Sequence, residues 1–225
     1  MPEASPRPPH PVTASITLGL AVGVFGVSFG VLATASGLSI AKTCALSLLV
    51  FTGASQFTAV SVHASGGSSA SALASALLLA ARNGAYGLAM SRRMRGGVPR
   101  RLLAAHLTLD ESTAMASAQP DDRDAEKAFW ITGLAVFVFW NLGTLVGALV
   151  GDHIGDPTRY GLDAAFPVGF VALLMPQLRA QPSRVAALGG AAIALVLIPL
   201  TPVGVPVLAA GVAALAGLFV PRGAR

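Results

Sequence analysis

Residues 48–60 read LLVFTGASQFTAV, an apolar run that gives up four positions, Thr52, Gly53, Ser55 and Gln56, before it resumes. What those four mean depends on the solvent around them. The chain has 225 residues, 54% of them hydrophobic and 11% charged, with mean hydropathy +0.70. Soluble domains carry about 25% charged residues, so there are too few charges here to cover a globular surface. Several uncharged runs reach the ~20 residues that cross a bilayer. The fold class that follows is an all-α integral membrane protein. In hydrocarbon an unpaired buried amide costs roughly 2–7 kcal/mol. The face formed by Thr52, Ser55, Gln56, Ala59 and His63 at helical spacing must therefore meet protein or water. Gly53 weakens a helix by about 1 kcal/mol relative to alanine. A break there frees backbone groups to bind a polar solute; an interhelical hydrogen bond is the structural alternative.

Hydropathy predicts seven transmembrane helices, over about 14–36, 41–62, 69–91, 128–150, 162–178, 184–199 and 203–220. The fifth and sixth are short and contain or border Pro167, Pro176 and Pro199. Residues 1–13 form a proline-rich, disordered tail ahead of a single transmembrane domain, 14–220. Ala33-Thr34-Ala35 mimics a signal cleavage site, but the apolar stretch before it exceeds the usual 7–15 residues. Lysine and arginine in short loops set the orientation. Arg92, Arg93, Arg95, Arg100 and Arg101 follow helix three, with Arg123 and Lys127 beyond, so 92–127 reads as a cytoplasmic linker. Alternation then places Lys42, Arg179, Arg184 and the C-terminus inside. It places the N-terminus, the Gly66-Gly67 turn and the 151–161 loop outside.

The formal net charge is +5 and the pI about 10.3. The basic residues flank apolar runs instead of interleaving with aromatics, which argues for membrane topology and against nucleic acid. The single Cys44 excludes an internal disulfide and a cysteine metal cluster, and no metal or cofactor motif is present.

GLAVGVF at 19–25 recurs as GLAVFVF at 133–139, six of seven positions at an offset of 114. Three predicted helices separate the two starts, so the two copies are expected to cross in opposite directions. That is a 3+3 inverted-topology repeat, 14–91 and 128–199, with one extra helix at 203–220. Gly19, Gly23, Gly26 and Gly30 share one face, as do Gly143, Gly147 and Gly151; such faces let helices approach closely in lipid.

Arg82 lies about nine residues from the cytoplasmic end of helix three, roughly 13 Å deep. Arginine at such depth costs at least ~2.5 kcal/mol and is usually functional; a snorkelling arginine on a span that ends early is the bland reading. Asn83 and Gly84 follow it. Segment 99–118 is helix-compatible and carries Asp110-Glu111. Either it lies at the interface with solvated acids, or it dips into the bundle, where a carboxylate takes a proton or pairs with Arg82.

Three blocks resemble the AzlC family of branched-chain amino acid exporters. They are Phe29-Gly30, Gly37-Leu38-Ser39 and Val50-Phe51-Thr52-Gly53-Ala54-Ser55-Gln56-Phe57; then Arg82-Asn83-Gly84-Ala85-Tyr86-Gly87; then Leu109-Asp110-Glu111. The likeness covers about 25–200. Ala80 and Asn83 stand where the family pattern suggests asparagine and histidine. The resemblance implies a proton-motive-force-linked exporter of neutral amino acids in a bacterial plasma membrane, and a small partner subunit of the AzlD type. Homo-oligomerisation is a further possibility.

The candidate substrate-binding residues are Gly53, Ser55, Gln56, Arg82, Asn83 and Asn141, and the candidate proton-coupling residues are Asp110 and Glu111. Broken-helix N-termini or Arg82 suit a carboxylate; Gln56, free carbonyls or Asp110 suit an ammonium. A serine hydrolase is disfavoured, since Ser55 and His63 lie about 12 Å apart along one helix and no Gly-x-Ser-x-Gly elbow occurs. A channel or a non-transporting subunit remains the alternative, though no filter motif or charged ring is visible.

Overall fold

A computed structural model describes residues 11–154, 171, 175, 178 and 181–213, which hold helices and no strand. Helix α1 (Pro11–Ala35) starts three residues earlier than expected and ends at Gly37, whose φ of +88° suits the left-handed turn that closes a helix. Helix α2 (Ile40–Val50) begins behind Ser39, whose hydroxyl accepts a hydrogen bond from the Lys42 N–H at 3.4 Å. It stops at Phe51 (φ +34°), and α3 (Ala54–Ala64) begins after Gly53 (φ +50°). The continuous span expected over 41–62 is therefore two helices of 11 residues each. At roughly 16 Å, neither crosses a bilayer alone.

The chain turns back at this break. Gln56 Nε2 donates to the Leu46 carbonyl at 2.9 Å, although ten residues of straight helix would hold those positions ~15 Å apart. Helix α4 (Ser69–Met90) follows, capped by Ser68. A second hairpin comes next: α5 (Val98–His106), a break at 107–109, and α6 (Asp110–Ser117). Helix α7 (Asp122–Ile154) has 33 residues and starts where Asp121 Oδ1 accepts from the Asp124 N–H at 2.8 Å. Helices α8 (Gln181–Leu197) and α9 (Val205–Gly211) complete the described residues. The expected fifth helix (162–178), apart from residues 171, 175 and 178, and the end of the seventh beyond 213 lie outside them. Among the described residues two helices, over Val12–Ala35 and Asp122–His153, are long and apolar enough by themselves to cross a membrane.

α1 and α7 form the backbone of the fold, and they run parallel. Ser15 Oγ and Thr132 Oγ1 are 2.8 Å apart. Further along, Gly23 packs on Gly143, and Gly151 on Val31. The partner numbers rise together, so the helices share one direction. An inverted-topology repeat starting at these two helices needs them opposed, and that expectation is overturned. The reason is the two hairpins. Each returns the chain to the end it left, so α4 is the one long helix between α1 and α7 that reverses direction. The glycines do serve close packing: a Cβ at Gly30 would collide with the Thr144 carbonyl, and one at Gly147 with the Val27 carbonyl.

The hairpins enter from opposite ends of this pair. α2 lies on the C-terminal half of α7, where Ser47 Oγ donates to Asn141 Oδ1 at 2.7 Å and lies 3.1 Å from Thr144 Oγ1. The second hairpin lies on the N-terminal half. Arg100 bonds Glu126 at 2.9 Å and covers Trp130, and Leu107 packs on Gly133. On the return, Arg93 donates to the Ala116 carbonyl and pairs with Asp122 at 3.6 Å. The two tips meet midway: the Phe51 and His106 rings are 5.7 Å apart, and each contacts Phe137.

One end of the molecule therefore gathers the arginines of 92–101, Arg123 and Lys127 together with the start of α1. The seven-crossing reading sets the start of α1 and the 92–127 segment on opposite faces and groups Lys42 with the arginines; here the start of α1 shares the arginine end, and α2 begins at the other, beside the C-terminal ends of α1 and α7. Segment 98–117 brings its tip against the first tip and α7. It is the second hairpin, and the reading in which it dips into the bundle is the one observed.

Candidate functional site

A cavity of about 120 Å³ lies where the hairpin tips, α1, α4 and α7 converge. An engineered cavity of about 150 Å³ admits a benzene-sized molecule, so this one suits a small solute. One wall is apolar, made by Val22 and Phe25 from α1 and by Val136 and Trp140 from α7. The other is polar: Thr52 and Gly53 at the first tip, Asp110 and Glu111 at the second, and Arg82 and Asn83 on α4.

Each polar group is there for a local reason. Gly53 permits the positive φ that turns the chain, and its missing side chain leaves Trp140 Cη2 3.7 Å from where a Cβ would stand. Gln56, fully buried, ties the tip together: its Oε1 accepts from the Gly53 N–H at 3.0 Å while its Nε2 holds Leu46. At the second tip Ser112 Oγ accepts from the Leu109 N–H and donates to the Leu107 carbonyl. That fixes the first turn of α6 and with it Asp110. Arg82 Nη1 then meets Asp110 Oδ2 at 2.9 Å, with the two side chains 40% and 35% exposed. Tyr86, one turn along α4, faces the same carboxylate. Glu111 forms no salt bridge among the described residues.

Of the candidate residues, the cavity brings together Gly53, Arg82, Asn83, Asp110 and Glu111. Ser55 and Gln56 are buried in the first turn of α3, and Gln56 acts as a brace for the tip. Asn141 lies outside the cavity, holding α2 to α7 through Ser47 and donating to the Phe137 carbonyl at 2.8 Å. Sequence reasoning missed the apolar wall. Trp140 is 4% exposed and packs within an aromatic cluster with Phe29 and Phe57, at centroid distances of 6.0 and 6.1 Å. Nothing in an apolar run distinguishes a residue that lines a cavity from one that faces lipid. The one usable signal was the second tryptophan falling at the middle of a long span.

Several buried polar atoms around this junction have no hydrogen-bond partner among the described residues: Thr52 Oγ1, Ser55 Oγ, Asp110 Oδ1 and Trp140 Nε1. Native structures pair nearly all buried polar groups, so these four atoms stand out. Half-length helices whose tips meet inside a bundle of long apolar helices define an all-helical membrane protein with a central solute-sized cavity. A model of the family described as AzlC protein matches residues 17–154, and the chain belongs to the AzlC family.

Relatives agree on the membrane. An uncharacterized membrane protein of Helicobacter pylori is 31% identical over 192 residues, 84% of this chain and 83% of the relative. An uncharacterized membrane protein of Archaeoglobus fulgidus is 32% identical over 183 residues, 79% and 80% of the two chains. The branched-chain amino acid transport protein AzlC of Bacillus subtilis is 24% identical over 187 residues, 82% and 72% of the two chains. No solved structure matches.

Proposed function

We propose that this protein is a multi-pass, secondary-active permease of the plasma membrane that exports branched-chain or similar neutral amino acids, driven by the proton motive force. The observation that carries the proposal is the cavity between the hairpin tips. One apolar wall fits an aliphatic side chain, and one wall carries both charge signs for the backbone groups of an amino acid. Non-helical backbone at mid-depth is tolerated where it lines such a cavity. Family membership and the name of the Bacillus subtilis relative support the substrate class.

Asp110 and Glu111 are the proton-coupling candidates, because they sit in the cavity beside Arg82. A small AzlD-type membrane subunit acts as partner. The arginine-rich end is cytoplasmic by the positive-inside rule, and the start of α1 lies at that same end. The N-terminus is therefore cytoplasmic. Counterflow in proteoliposomes tests the reading: vesicles loaded with unlabelled leucine, with and without the partner, should accumulate labelled leucine above protein-free vesicles. Accumulation at the protein-free level with both subunits present would exclude it.

A further inference from the structure

The arginine end, away from the cavity, carries charge that the described residues do not balance. A groove of about 420 Å³ lies there between two parts of the chain. The turn between α4 and α5 supplies Arg93 and Arg95, and the start of α7 supplies Asp121, Asp122, Arg123 and Glu126. The acids are engaged. Asp122 pairs with Arg93 at 3.6 Å, and Glu126 takes Arg100 at 2.9 Å. Asp121 Oδ1 accepts from the Asp124 N–H at 2.8 Å, and the Asp124 carboxylate lies 3.4 Å from Lys127 Nζ. Arg95 and Arg123 line the same groove, are exposed, and form no salt bridge among the described residues. The same holds for Arg92 and Arg101 at its flanks in sequence. A guanidinium without a carboxylate presents a planar fork of donors that matches a phosphate.

A second observation indicates which phosphate. Helix α5 begins three residues after Arg95, with Val98 and Leu102 one turn apart and 70% and 66% exposed. Arg101, also exposed, shares their face at i+3 from Val98. From there α5 runs inward to His106, whose ring meets Phe51 of the first tip. Exposed apolar side chains at the outer end of an inward-running helix belong against acyl chains, and basic side chains beside them belong at the headgroups. Arg95, just ahead of Val98, therefore stands at headgroup depth. A phosphate free in solution would leave the apolar part of this surface without a partner.

We propose that this groove is the seat of an anionic phospholipid, whose phosphate bridges Arg95 and Arg123. The bridge ties the base of the second hairpin to the start of α7, beside the tie that Arg93 and Asp122 already make. A net negative headgroup answers the unpaired guanidinium groups; a zwitterionic headgroup brings its own cation and does so less well. The seat lies at the membrane surface and does not rest on the export reading or on any solute.

The experiment titrates purified full-length protein in neutral detergent with phosphatidylglycerol, with phosphatidylcholine of the same acyl chains, and with inorganic phosphate. Tryptophan fluorescence follows melting, and native mass spectrometry counts bound lipid. Phosphatidylglycerol should raise the melting temperature and bind at least about tenfold more tightly than phosphatidylcholine. Arg95→Gln/Arg123→Gln should lose that preference while staying monodisperse, because neither side chain holds a salt bridge among the described residues. Lys42→Gln, at the opposite end, should keep it. Equal binding of the two lipids by the parent protein overturns the seat. So does a preference that survives in the double arginine variant, or that falls as far in Lys42→Gln. Inorganic phosphate that stabilises the protein as much as phosphatidylglycerol at equal concentration, and displaces it, shows a site for free anions and overturns the lipid assignment.

Discussion

Arg82 Nη1 and Asp110 Oδ2 lie 2.9 Å apart, joining the middle of α4 to the tip of the second hairpin. Both are partly exposed, so in water the pair would contribute about 0–1 kcal/mol. At mid-depth in a bilayer a single unpaired charge costs at least ~2.5 kcal/mol. Arg82→Ala or Asp110→Asn should therefore lower the amount of protein in the membrane. The double variant Arg82→Ala/Asp110→Asn, with no orphaned charge, should recover abundance but not leucine counterflow. Immunoblots paired with transport assays check this; recovered transport in the double variant would remove both residues from the mechanism.

The glycine seam offers a graded test. Gly30→Ala and Gly147→Ala each drive a Cβ into a carbonyl oxygen of the facing helix. Overpacking of this kind costs about 1–3 kcal/mol. Gly84 and Gly87 on α4 have nothing within 4 Å of where a Cβ would stand. Gly84→Ala and Gly87→Ala should leave thermal stability of the purified protein unchanged or slightly raised, while the seam variants lower it.

Gln56 braces the first tip with both ends of its amide. Gln56→Leu strands the Gly53 N–H, at about 1–3 kcal/mol for a group left buried and unpaired, and removes the second donor to the Leu46 carbonyl, which keeps its partner within α2. Detergent-solubilised protein should melt lower. Gly53→Ala, at φ +50° and ψ −84°, should cost about 1–3 kcal/mol from backbone strain alone. A Gln56→Leu protein as stable as the parent would show that the tip does not depend on this brace.

Topology is the sharpest prediction of the parallel α1–α7 pair. Cysteine probes in a Cys44→Ser background, at Arg95 and at Gly66, should label from opposite sides of the membrane. An N-terminal tag should be protected together with Arg95. An N-terminal tag accessible from outside while Arg95 is cytoplasmic would contradict the packing of Ser15 against Thr132.

The sequence by itself determined the solvent and the elements that solvent enforces. Too few charges and long apolar runs require helices in lipid, and Thr52-Gly53-Ala54-Ser55-Gln56 and Arg82 could not sit there without polar partners. It also marked the glycine faces, whose spacing permits close helix contact whatever the partner. Tertiary structure decided direction and company. Hydropathy sees one apolar run across 41–62, and a run that folds back at Phe51–Gly53 has the same composition as one that goes straight through. That difference reverses the parity of crossings and turns an expected antiparallel pair into a parallel one. The pairing of Arg82 with Asp110, the brace of Gln56 and the wall of Trp140 depend on contacts between residues far apart in the chain. Such contacts follow from how two hairpins meet, a relation that no local periodicity encodes.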